Sequence, residues 1–330
     1  MKALLKLLFL LAGMGLAVMC SESDIINEDL SDSNLKSARI VNHDAPGLDQ
    51  DRWVTMKNLD LDIHYRIIGK GPIDLVFLPG WTNPLTVYSK QFDYFRDKAR
   101  CIYVDFPGQG MSNAPVPGNP MDADNPGFQY TAELLAEAVY DVVKKEGLHQ
   151  FVAVGFSMGP AIWAMFERNY PGMITKLVAI DGDIAPWPTD PTERDARQAV
   201  REATYWAELS WDETIKEMLV AFLIPPELAG DDAEELKEFG KYFITYPSDI
   251  LADMAYNIEA ENVQELVGWA YPILAFYSDP DTDMEKVNLV YPNNTTYFFP
   301  GGGHVIHWMF HEEINPMIWE FVKDKPGKKY

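Results

Sequence analysis

The spacing of hydrophobic positions along this chain changes period repeatedly, and those changes order its elements. Residues 54–57 and 61–68 alternate apolar and polar side chains on either side of Asn58 to Asp60, the pattern of a hairpin of half-buried strands. Residues 73–78, 101–105, 151–154, 177–180, 272–277 and 295–299 form short, largely apolar runs, the signature of strands covered on both faces. Helical spacing falls at 87–98, 131–146, 158–170 and 314–322; in the second of these Thr131 stands at the N-cap, and Leu134, Leu135, Ala138 and Val142 share one face. Strands that alternate with helices require crossovers. The pattern therefore predicts an α/β fold, a mostly parallel sheet with an antiparallel start, flanked by helices.

The alternation stops between Asp181 and Tyr271. Helical periodicity over 194–206, 212–223 and 232–243 predicts a helical insertion at 182–270, between two strands of one sheet and hence over a strand edge. The sheet-bearing body is then 51–181 together with 271–330. A Pro-, Gly- and Asn-rich loop runs over 107–127, and there are no internal repeats.

Composition narrows the function classes. A chain of 330 residues, 47% hydrophobic, is long enough to bury a large core, and its 22 glycines and 23 prolines lie below the level of low-complexity sequence. Two cysteines supply neither a disulfide scaffold nor a thiolate zinc site. The net charge of −23, unrelieved by any basic cluster, argues against nucleic acid as a partner. The insertion holds 20 acidic and 6 basic residues, so it carries most of that charge and should disfavour anionic substrates at its mouth.

The first twenty residues stand apart. Lys2 and Lys6 flank leucines, and an apolar run over 12–19 ends at Cys20, the layout of a signal peptide over 1–20 rather than of a membrane span. Cys20 stands where a lipoprotein signal places its acylated cysteine, although Ala17-Val18-Met19 matches poorly the small residues that usually precede cleavage. Two expectations stay open: a lipid on Cys20 that tethers the protein to a bacterial envelope, or plain export to the periplasm or beyond. Residues 21–50 read as an acidic flexible tether and Cys101, in an apolar run, as a buried thiol.

The chemistry centres on Gly155-Phe156-Ser157-Met158-Gly159. An apolar strand enters it and a helix beginning near Pro160 leaves it, so Ser157 sits on a tight strand-to-helix turn that exposes its hydroxyl. The competing reading is a helix N-cap serine. A serine nucleophile needs a base, and His304, after Pro300-Gly301-Gly302-Gly303 and the last strand, is placed to swing toward the sheet end. His307 and His311 share its helical face, which makes a metal site conceivable, although no acidic ligand pattern accompanies them. His43, His64 and His149 need only surface or packing roles. The imidazole needs an acid to fix its tautomer. Asp279, Asp281 and Asp283 follow the strand ending at Tyr277, and Asp181, at the end of the preceding strand, is the fallback.

With these residues in place the chain resembles the cap-bearing branch of the α/β-hydrolase superfamily over about 52–323. Leu78-Pro79-Gly80-Trp81 stands where that family has its His-Gly-X oxyanion loop, with Pro79 replacing the His. Asp105-Phe106-Pro107-Gly108-Gln109-Gly110-Met111-Ser112 is similar to its Asp-X-Pro-Gly-X-Gly-X-Ser loop, usually a structural element. Residues 272–281 resemble its acid-bearing strand and loop, with Ser278 replacing a Gly, and Gly303-His304 followed by Glu312 resembles its Gly-His segment. Pro160 replaces a second Gly often found after the nucleophile. The resemblance implies Ser157 as nucleophile, His304 as base, Asp281 as acid, and backbone amides of Trp81 and Met158 as the oxyanion hole, with no cofactor and no metal. It implies acyl transfer on a small-molecule carboxylic ester or lactone with an apolar acyl part; serine at 157 argues against the epoxide-hydrolase and dehalogenase branches, whose nucleophile is aspartate. The insertion resembles the family's cap, whose Trp187, Trp206 and Trp211, with Tyr205, Phe222 and Trp269, are candidates to line a pocket. Peptidase, perhydrolase and carbon–carbon hydrolase activities share the fold, and a binding sensor on the same pocket is the alternative outside enzymes.

Overall fold

The structure, a computed structural model, describes residues 48–182, 190–223, 231–260 and 268–323. The expected signal peptide with Cys20, nearly all of the tether, His43 and Trp187 lie outside the described residues. The chain opens with β1 (Asp49–Met56) and β2 (Leu61–Ile68), an antiparallel hairpin in which Met56 faces Leu61. β1 begins five residues before the apolar pattern suggested. Only Met56 of its side chains is buried, so its first residues carry no hydrophobic signal and are held by the ladder to β2.

The alternating units follow. β3 (Asp74–Leu78) leads through a short 3-10 turn (Leu85–Tyr88) into α1 (Ser89–Arg96) and β4 (Arg100–Val104). α2 (Ala132–Lys145) starts at the expected cap, where the Thr131 hydroxyl accepts the Leu134 N–H at 3.1 Å. β5 (Phe151–Phe156), α3 (Gly159–Asn169) and β6 (Ile174–Ile180) come next. β6 starts earlier than its apolar run because Lys176, inside it, lays its stem along the core and donates to the Phe321 carbonyl at 2.6 Å.

Among the described residues four helices occupy the insertion: α4 (Pro191–Leu209), α5 (Glu213–Leu223), α6 (Asp231–Thr245) and α7 (Ser248–Ala260). The chain returns to the sheet as β7 (Ile273–Tyr277), α8 (Met284–Val290) and β8 (Asn294–Phe298), and ends in α9 (Ile306–Met309) and α10 (His311–Val322). One eight-stranded sheet results, in the order β1-β2-β4-β3-β5-β6-β7-β8, antiparallel through β1-β2-β4 and parallel beyond. One face packs against α2, α3 and the inner side of the insertion, and the other against α1 and α10. Cys101 is buried in the second face as a free thiol, and burial pushes it up to about 12.

The helix α7 is the longest of the helices the sequence pattern missed, the short α8 and α9 being the others. Ile250, Leu251, Ala252 and Met254 are buried, but so are Asp253 and Asn257, two polar residues inside the apolar stripe. Each has a backbone partner. The Asn257 amide donates to the Asp253 carbonyl at 2.9 Å, and the Asp253 carboxylate accepts the Tyr130 N–H at 2.7 Å, docking the insertion onto the loop before α2. Its second oxygen has no partner among the described residues.

Burial, reinforced by Asp249, pushes the Asp253 carboxyl up to about 6, against the pull of the Tyr130 and Asn257 hydrogen bonds. A carboxyl that holds its proton in the folded chain more tightly than in the unfolded one contributes to stability on the acid side, and that contribution is lost as pH rises from about 4 through 6. Asp253→Asn keeps an oxygen for the Tyr130 N–H and removes the charge. Urea unfolding should find this variant more stable than wild type by about 2 kcal/mol at pH 7.5 and equal to it near pH 4. The same difference at both values would show that Asp253 ionises freely.

Candidate functional site

The apolar run of β5 ends at Ser157, which adopts a left-handed φ of 55° before α3 begins. The turn closes so tightly that a Cβ on Gly155 would lie 2.7 Å from the Pro160 nitrogen, and one on Gly159 the same distance from the Leu78 carbonyl. Glycine is required at both places by contact, and Pro160 is accommodated in the first turn, where its missing N–H costs nothing. The Ser157 N–H donates to Ile180 O at 2.9 Å, and the hydroxyl stands at the C-terminal ends of the parallel strands.

His304 reaches it from the loop after β8, where Gly301 and Gly303 take φ of 91° and 59°. Its Nε2 lies 2.8 Å from Ser157 Oγ, its Nδ1 lies 2.7 Å from Asp181 Oδ2, and the Phe156 ring packs against it at 4.8 Å. An ionised carboxylate only accepts, so Nδ1 carries the proton and Nε2 is left to accept from the serine.

The acid facing His304 is thus Asp181, the fallback, and the expectation of Asp281 is overturned. Asp281 is exposed, and its N–H donates to Asp279 Oδ1 at 2.9 Å within the turn after β7. Asp283 caps α8, accepting from the Glu285 and Lys286 amides. The cluster builds a turn and a helix start, which is what closely spaced aspartates favour. Asp181 instead leaves β6 directly, with φ 44°, its N–H donating to Phe276 O at 2.7 Å. β6 and β7 are neighbours, so a carboxylate from either strand end reaches the same place. What occupies that place from β7 is Ser278, whose N–H donates to Asp181 Oδ1 at 2.9 Å and whose hydroxyl lies 3.0 and 2.9 Å from the two carboxylate oxygens. Burial alone would push the Asp181 carboxyl up, but the His304 and Ser278 hydrogen bonds outweigh it and hold the group below the usual carboxylate range.

The loop after β3 closes the other side. A Cβ on Gly80 would lie 2.9 Å from Ser157 Cβ, so this peptide runs directly over the serine. The Gly80 carbonyl accepts from Asn83 N at 3.2 Å and from the buried Gln109 side-chain amide at 3.3 Å. The same peptide unit supplies the Trp81 N–H, and neither that amide nor the Met158 N–H donates to an acceptor among the described residues. The Trp81 indole donates to Leu251 O of α7 at 3.1 Å and meets Phe243 edge-on, which ties the loop to the insertion. Thr82 follows with φ 64°, its hydroxyl returning to Trp81 O at 2.6 Å.

Other candidate residues go elsewhere. His307 is fully buried beneath Phe156, donates to Val87 O at 3.2 Å, and is pushed down by burial to about 3, so it is neutral. The His311 Nδ1 lies 2.9 Å from Trp308 O, and with His304 on Ser157 the three imidazoles do not converge. Trp206 is 56% exposed with its ring against Tyr205, so it lines no enclosed pocket. Trp211 is buried in the main core, and Trp269 packs on Tyr271 and Tyr291 before β7, at the sheet end opposite Ser157. Nothing is described of the Phe222 side chain. His64 carries more than packing: it is buried, with Nδ1 2.7 Å from Asp105 and Nε2 3.2 Å from Asp51. No local motif marks it, because its partners come from a different strand and loop.

Comparison with known proteins places this geometry. The family model described as "Alpha/beta hydrolase family" matches residues 75–315. The chain is 22% identical over 272 residues to a pimeloyl-[acyl-carrier protein] methyl ester esterase of Yersinia enterocolitica, covering 79% of this chain and 97% of that one. It is 22% identical over 311 residues to human epoxide hydrolase 4, covering 86% and 82%. Among solved structures, an esterase from Thermogutta terrifontis superposes with a TM-score of 0.67 at 20% identity, covering 83% of this chain and 98% of that one, a likeness of fold.

Proposed function

Because the chain belongs to the alpha/beta hydrolase family, we propose that it is a serine hydrolase working by acyl transfer on a carboxylic ester or lactone with an apolar acyl part. The observation that carries this is the unbroken hydrogen-bond chain from Ser157 through His304 to Asp181. In the reaction His304 Nε2 takes the Ser157 proton as Oγ attacks the carbonyl carbon, and the carbonyl oxygen becomes an oxyanion beside the Trp81 and Met158 amides. Asp181 holds the tautomer and stabilises the imidazolium. The imidazolium returns its proton to the leaving oxygen, and water, deprotonated by the same nitrogen, releases the acid and restores Ser157.

Serine at 157, where the epoxide-hydrolase branch of the superfamily carries aspartate, favours acyl transfer over ring opening. The apolar acyl preference rests on the groups next to the serine: Met158 follows it in the chain, and Trp81, on the loop over it, packs on the main core and is tied to Leu251 of the insertion. The acidic insertion favours neutral substrates over anionic ones. We place the protein outside the cytoplasm, exported through residues 1–20, either held at the envelope by a lipid on Cys20 or released to the periplasm or beyond.

A fluorophosphonate probe should label wild type and leave Ser157→Ala unlabelled, and wild type alone should turn over a short-chain p-nitrophenyl ester. Identical behaviour of the two proteins would end the serine-hydrolase reading, and labelling followed by a single slow turnover with product retained would point to a sensor. In the same assay Asp181→Asn should lower kcat by about a thousandfold or more, as loss of the orienting acid does in such triads, while Asp281→Asn stays within about twofold. The opposite ranking would return the acid to β7. Gln109→Ala frees the Gly80–Trp81 peptide at one of its two carbonyl bonds and should lower kcat by about three- to tenfold with KM little changed.

A further inference from the structure

The serine after β7 makes more contacts with the acid than a turn residue needs. Ser278 is buried, and both of its donors, N–H and Oγ–H, are aimed at the Asp181 carboxylate. The hydroxyl spans the two oxygens, including Oδ2, which also accepts from His304 Nδ1. It therefore competes with the imidazole for the same oxygen. The turn itself is closed by other bonds, Asp281 N–H to Asp279 Oδ1 and Thr282 Oγ1 to Asp279 O, so the hydroxyl is not what builds it. A glycine, the residue the resemblance led one to expect at 278, would supply the N–H alone.

We propose that Ser278 is a positioning residue for the hydrolytic reaction, whose hydroxyl fixes the Asp181 carboxylate and sets how strongly it holds the proton on His304 Nδ1. This rests on the serine-hydrolase reading above. The physical reasoning has two parts. Asp181 departs from β6 in a left-handed conformation, so its carboxylate plane is set by partners rather than by the strand, and the two Ser278 donors with His304 determine it. A carboxylate that already accepts from a hydroxyl is also a weaker acceptor for the imidazole N–H, so the hydroxyl tempers the stabilisation of the imidazolium. Removing it should loosen the geometry and strengthen the His304–Asp181 bond at the same time.

Three measurements on wild type, Ser278→Ala, Asp181→Ala and the double variant test this. With a p-nitrophenyl ester, Ser278→Ala should lower kcat/KM by about tenfold, the loss expected of one hydrogen bond to a charged group, and its acid limb should move to higher pH. In the Asp181→Ala background the same substitution should cost nothing further, because the residue it acts through is gone. Independently of turnover, the low-field Nδ1–H proton resonance of His304 should move further downfield in Ser278→Ala. Equal fractional losses in both backgrounds, an unmoved acid limb, or an unchanged resonance would each overturn the assignment and leave Ser278 a packing residue. Wild type labelled by fluorophosphonate and active, with Ser278→Ala indistinguishable from it, sinks this inference alone. Wild type that is neither labelled nor active sinks the hydrolase reading, and the resonance still reports on Ser278.

Discussion

The register of three adjacent parallel strands is the constraint on which the site depends. Phe156 at the end of β5 pairs with Ile180 at the end of β6, and Ile180 pairs with Phe276 of β7. The chain therefore breaks from the sheet at one level in neighbouring strands, and the residues released there are Ser157, Asp181 and, past Tyr277, Ser278. The ladder continues one bond beyond the strands: Ser157 N–H reaches Ile180 O, and Asp181 N–H reaches Phe276 O. A slip of one residue between β5 and β6 would turn one side chain to the opposite face of the sheet and separate Ser157 from Asp181. The apolar side chains that enforce the register, including Val154, Val178 and Leu274 on one face and Ala153, Leu177 and Ala275 on the other, thus determine the position of the polar groups.

That arrangement concentrates backbone strain. Four residues other than glycine have positive φ among those described, and three of them, Thr82, Ser157 and Asp181, surround His304 or the peptide over the serine; the fourth, Asp60, is in the hairpin turn. Such conformations cost on the order of 1 kcal/mol each and persist only where surrounding contacts over-determine them. Here the contacts are identifiable. Thr82 is held by its own hydroxyl on Trp81 O, Ser157 and Asp181 by the extended ladder, and Asp181 again by Ser278. The strain aims a hydroxyl and a carboxylate away from their strands and toward one imidazole.

What the sequence made legible follows from which interactions are local. The serine turn, His304 and most strands were readable because short apolar runs, glycine contacts and a flexible loop sit next to the residues they position. Asp181 stood only as the fallback because its place facing His304 depends on β6 and β7 lying side by side, and a denser acidic cluster, Asp279 to Asp283, stood nearer to what the family resemblance suggested. That cluster has local duties, a turn and a helix cap. The helix α7 was hidden for a related reason: Asp253 and Asn257 interrupt its apolar stripe, and only the tertiary partner at Tyr130 shows why they are tolerated. His64 escaped notice because both of its carboxylate partners are distant in sequence.

The loop from Asp105 to Ser112 shows how one buried carboxyl links these parts. Asp105 accepts from Leu85 N at 2.6 Å, just past the peptide over Ser157, and from Met111 N at 3.0 Å, and it pairs with His64 of the hairpin at 2.7 Å. Gly110 is needed because a Cβ there would run into the Asp105 carboxyl. With the loop so fixed, Gly108 O and Gly110 N are presented to the hydroxyls of Tyr246 and Tyr242 of the insertion, and Gln109 turns back to Gly80 O and Met254. The loop thus joins the hairpin, the peptide above Ser157 and the inner wall of the insertion. The His64 ring and the backbone amides of Leu85 and Met111 give the oxygens of this buried carboxyl hydrogen-bond partners at the centre of the molecule.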